Sequence, residues 1–96
     1  MTLARIDVHV LHCYEPKEWI DACLRSLATE PVHVHLCAGI RGKVGLARAN
    51  AFRKGTADYV AFVDADDEVM PGAFDAALAI LDSRPEIVAT YCDIQL

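Results

Sequence analysis

Apolar and polar positions alternate along this chain in stretches of two different periods. Ile6-Asp7-Val8-His9-Val10-Leu11-His12 is rich in β-branched residues, with Val8 and Val10 on one face and Leu11 on the other, and predicts a first strand. Trp19/Ile20, Cys23/Leu24 and Leu27/Ala28 then recur every four residues, the stripe of a helix. Glu15-Pro16 opens that helix, because proline at the first turn loses no hydrogen bond, and Glu30-Pro31 closes it. Val32-His33-Val34-His35-Leu36-Cys37 alternates with period two and predicts a second strand, valines and leucine on one face, histidines and cysteine on the other. A glycine-punctuated loop, Ala38 to Gly45, leads into a helix from Leu46 to about Lys54.

Tyr59-Val60-Ala61-Phe62-Val63 is an unbroken apolar run, the habit of a central parallel strand buried on both faces. Met70-Pro71-Gly72 opens a helix at Ala73 with Phe74, Ala77, Leu78 and Leu81 as its apolar stripe, and Pro85 stops it. Ile87 to Cys92 predicts a last strand. Strands alternating with helices define an α/β fold: one domain over residues 1–96, with a mainly parallel sheet of about four strands and helices on both faces.

The 54% hydrophobic content supports a core in so short a chain, while no apolar run approaches the roughly 20 residues that span a bilayer. The first residues show no basic segment followed by an apolar one, so the expected compartment is the cytoplasm. Cys13, Cys23, Cys37 and Cys92 form no C-x-x-C pair and read as free thiols. A net charge of −5 argues against nucleic acid or an anionic membrane as partner. Yet Arg41, Lys43, Arg48, Arg53 and Lys54, five of the nine basic residues, crowd into one short stretch, the one plausible anion site.

The run Tyr59–Val63 passes directly into Asp64-Ala65-Asp66-Asp67-Glu68. Ligands of open α/β sheets bind in the crevice beyond the carboxyl ends of the strands, where these carboxylates stand. Like charges so close repel, and a hard cation such as Mg²⁺ or Mn²⁺ relieves the repulsion. An acidic turn that merely ends a strand is the competing reading. The loop upstream is no P-loop, since Gly42-Lys43 is followed by Val44 rather than Ser or Thr, but its glycines, Arg41 and Lys43 suit a phosphate at a helix start. His33, His35 and Cys37 share a strand face and are residue types that bind zinc. Positions i, i+2 and i+4 spread over about 13 Å, however, so the three cannot meet at one ion, and a partly covered edge strand accounts for them.

Taken in order, Gly42-x-x-Gly45-Leu46-Ala47-Arg48-x-Asn50, then Ala57-Asp58-Tyr59 through Asp64-Ala65-Asp66-Asp67, then Pro71, resembles the family 2 glycosyltransferases of the GT-A fold, a Rossmann-like architecture. The resemblance runs from Ile6 to about Tyr91. It implies a nucleotide-sugar, UDP-linked as the first expectation, held against Mn²⁺ or Mg²⁺. By position, Asp66 would be the direct metal ligand. Asp64 would face the ribose or a metal-bound water. Arg48 would stand on the helix before the acidic strand, and Tyr14 and Glu15 would lie where the family cradles the base.

The chain departs from that pattern at Cys37-Ala38-Gly39, where the family carries an acidic residue, and in the extra alanine of Ala47-Arg48-Ala49-Asn50. The family continues into an acceptor half with a general base, whereas this chain stops at Leu96, which reads as truncation to the nucleotide-sugar-binding half. No catalytic residue is assigned. Two functions follow: a minimal transferase of glycosyl groups, or a non-catalytic module that keeps the donor half. A phosphatase of the haloacid-dehalogenase type, which also sets Asp-x-Asp after a strand, would want that strand first and a Thr or Ser motif downstream. Tyr91, Ile94 and Leu96 predict a sticky edge and hence a homodimer through the C-terminal strand.

Overall fold

A computed structural model describes residues 5–87, 89 and 90 of the chain. Its centre is β1 (Ile6–His12), whose residues from Ile6 to Leu11 are all buried. The chain continues through α1 (Lys17–Leu27), β2 (Val32–Ala38), α2 (Val44–Phe52), β3 (Tyr59–Asp64) and α3 (Ala73–Ser83). Three parallel strands form one open sheet in the order β2-β1-β3. This is a small α/β domain with a Rossmann-like parallel sheet.

Because side chains alternate across a strand, β1 divides its residues between two layers. Ile6, Val8 and Val10 pack with Cys23 and Leu27 of α1, and Phe74 and Leu78 of α3 close over them. On the opposite face Leu11 meets Cys37 and Ala51, under α2 alone. Helices therefore do cover both faces, two on one side and one on the other. A chain-distant contact locks the two-helix layer: the Glu30 carboxylate, in the turn after α1, accepts the Gly72 and Phe74 N–H groups and so caps α3, which has no cap of its own.

One expectation needs correction. The run Tyr59–Val63 is not the most buried strand: Val60 and Phe62 are 37% and 38% exposed, and β3 alternates between half-buried and exposed positions. It lies at one side of the sheet among the described residues, and only α2 shelters the face that carries Phe62. The described residues form three strands, and the expected fourth, Ile87 to Cys92, falls in part outside them. Ile87, Ala89 and Thr90 lie in no strand, and Val88, Tyr91 and Cys92 fall outside the described residues, as do Ile94 and Leu96 of the expected dimer surface. Among the described residues no helix is long and apolar enough to cross a membrane.

Candidate functional site

Parallel strands bring three chain segments to one end of the sheet. Leu11 of β1 stands beside Cys37 of β2 and Asp64 of β3, so the segments after all three strands emerge together. The loop after β2 is drawn tightly in, with the Gly39 N–H donating to the His12 carbonyl at 2.6 Å. A Cβ at Gly39 would sit 3.1 Å from that same oxygen, so a larger residue would push the loop outward.

The acidic turn follows β3 directly. The buried Ala65 anchors it by donating its N–H to the Leu11 carbonyl at 3.1 Å, and the Asp67 N–H returns to the Asp64 carbonyl at 3.0 Å. Those bonds turn the exposed Asp64, Asp66 and Asp67 toward one place, where one carboxylate oxygen from each lies within 4.8 Å of the others. Partial burial, with the charges of Asp66 and Asp64, pushes the Asp67 carboxyl above its ordinary range. The same charges, added to the larger effect of burial, push the Cys23 thiol up to about 11, leaving it inert behind the turn. Three converging all-oxygen donors fit a hard cation such as Mg²⁺ or Mn²⁺.

The remaining expected residues lie on the segments after β1 and β2 and on α2. Tyr14 is exposed, and the Arg41 guanidinium lies 5.6 Å from its ring centroid. Glu15 folds back to accept the Cys13 N–H at 2.7 Å, which holds its carboxyl below the usual range. Lys43 occupies the N-cap position of α2 without a side-chain cap bond, and the first turn of that helix has no acidic residue. Arg48, one turn on, lies 5.8 Å over the Phe62 ring, and Asp64 follows Phe62 on the same strand face. Among the described residues Arg41, Lys43 and Arg48 enter no ion pair.

One residue was misassigned from its spacing. Trp19 belongs to the four-residue stripe of α1, yet it is 55% exposed and joins Ala22, Asp66 and Glu68 around a hollow of about 350 Å³. It sits at the margin of the stripe, one residue before Ile20, and that marginal position was the available signal.

The model of the glycosyl transferase family 2 matches residues 17–93 of the chain. The chain belongs to that family, and its function is glycosyltransferase-like. The match takes in α1 to α3 and the acidic turn, and begins after β1, Tyr14 and Glu15. No curated protein and no solved structure gives a significant match.

Proposed function

We propose that this chain binds a nucleoside diphosphate, and its sugar-linked form, through a divalent cation held by Asp66 and Asp64. UDP is the first candidate. The observation that carries the reading is the convergence of the three carboxylates at the carboxyl end of the sheet, where the loop with Arg41 and Lys43 also emerges, both unpaired among the described residues, as is Arg48. Carboxylates alone would repel a diphosphate. A bound Mg²⁺ or Mn²⁺ would bridge the two and offset the charge of the leaving group. Lys43 and the uncapped start of α2 add positive potential on the phosphate side, and Arg48 adds a further cation near Asp64. Tyr14, steadied by Arg41, offers a ring for the base, while Glu15 shapes the turn beneath it.

Calorimetric titration with UDP, GDP and ADP, each with and without Mn²⁺, tests the reading. Binding should require the metal, and Asp66→Ala should abolish the metal-dependent part. Tight binding without metal that survives Asp66→Ala would make the acidic turn a structural feature only. Whether glycosyl transfer accompanies binding is read separately, by release of the diphosphate from the sugar nucleotide.

A further inference from the structure

We propose that Asp7, His33 and His35 form a binding site for one divalent transition metal of the zinc class, at the end of the sheet away from the acidic turn. The site is independent of the nucleotide reading. Asp7 precedes the residues that the family model matches, and it lies near the start of β1 rather than its end.

Topology makes the cluster. Asp7 stands opposite His33 in the β1–β2 register, and His35 lies two positions along the same face of β2. The Asp7 Oδ1 atom is 2.9 Å from His35 Nε2 and 3.7 Å from His33 Nδ1. One donor atom from each of the three residues lies within 4.8 Å of the others. Tetrahedral zinc, with bonds of about 2.0–2.1 Å, sets its ligand atoms roughly 3.3–3.4 Å apart, between the two measured separations. The strand-spacing objection to zinc still holds for Cys37, which turns its thiol to the His35 carbonyl at 3.6 Å. It does not reach a carboxylate supplied by the neighbouring strand.

The groups around the cluster hold it in place. The other Asp7 oxygen accepts the Ala57 N–H at 2.8 Å, so the carboxylate is fixed from behind, as ligating carboxylates are. Gly55, at φ +129°, lies so close to this carboxylate that a Cβ there would collide with it. The His35 ring stacks on His9 at 4.9 Å. His9 itself is fully buried, and neither ring nitrogen finds a partner among the described residues, a placement that apolar packing alone does not explain. Beside the cluster a hollow of about 470 Å³, lined by Asp7, His33, Arg5, Thr56 and Asp58, leaves room for water or a small anion as a fourth ligand. Two imidazoles and one carboxylate suit zinc, cobalt or nickel far better than Mg²⁺ or Mn²⁺. Such an ion would tie β1, β2 and the loop before β3 together.

The test uses the full chain, freed of metal by chelation and titrated with Co²⁺. One equivalent should produce the visible bands of tetrahedral cobalt without a sulfur-to-cobalt charge-transfer band. Zinc should displace it and raise the melting temperature, and excess Mg²⁺ should not. His33→Ala removes a side chain that is 67% exposed and leaves the Asp7–His35 bond intact, so the fold should survive, as circular dichroism would verify. That variant and His35→Ala should each weaken cobalt binding at least about tenfold, whereas Asp66→Ala should not change it. Absence of the bands, a thiolate band, or binding undiminished in both histidine variants would overturn the site and leave Asp7–His35 as a strand-to-strand hydrogen bond.

Discussion

The two faces of the central strand differ in kind. Facing α1 and α3, β1 presents Ile6, Val8 and Val10, and what they touch is almost wholly apolar. Facing α2, the same strand presents Asp7, His9 and Leu11, and what surrounds them is imidazole, carboxylate, guanidinium and a half-exposed Phe62. One face supplies cohesion through area removed from water. The other is covered by a single helix, and both of its ends carry clusters of ionisable side chains. Substitutions should therefore read as stability on the first face and as binding on the second.

The largest expected effect on stability is on the first face. Leu27 is buried against Val8 and Val10, and Leu27→Ala should cost roughly 2–5 kcal/mol by leaving a cavity, measured by denaturant unfolding. Phe62→Ala, across the sheet, should cost roughly 2 kcal/mol, about half of what a fully buried ring loses, because the side chain is already partly in water. Equal losses at the two positions would mean that the α2 face is packed as firmly as the other.

Next comes Gly55→Ala, on the polar face. The new Cβ would meet the Asp7 carboxylate, and the φ of +129° is one that alanine avoids. The substitution should lower stability by more than about 1 kcal/mol and should weaken the cobalt response described above. A variant as stable as the parent would show that the loop before β3 is free to move away.

These contrasts also explain how much was legible beforehand. Element order followed from local patterning: the start of α3 at Ala73 and the bounds of β1 fall where the apolar spacing put them. The acidic turn was legible for the same reason, since Asp64, Asp66 and Asp67 are neighbours in the chain. Which strand is central was not. Tyr59–Val63 has no charged residue and mimics a doubly buried strand, whereas β1 conceals its centrality behind Asp7 and His9. Burial raises the cost of the Asp7 charge, but the Ala57 N–H, His35 and His33 outweigh it and hold the carboxyl below its ordinary range. Ala57 is 50 residues away in the chain and His35 is 28, so no local pattern could announce them. The meeting of Tyr14 with Arg41 is hidden in the same way.

The smallest expected effect separates the faces most cleanly. Arg48 is exposed on α2, and its charge is partnered by no carboxylate among the described residues. Its guanidinium lies over the Phe62 ring at 5.8 Å, an exposed cation–π pair worth about 0.5–1 kcal/mol. Arg48→Ala should therefore leave the unfolding midpoint nearly unchanged. Affinity for a nucleoside diphosphate should fall, but only about fivefold, near 1 kcal/mol, because the proposed metal would already neutralise most of the diphosphate charge and the arginine would add to it from an exposed position. Calorimetry in saturating Mn²⁺ measures this. A loss as complete as that of Asp66→Ala would mean that Arg48 orders the acidic turn itself, and no loss at all would place the diphosphate away from α2, on the side of Trp19.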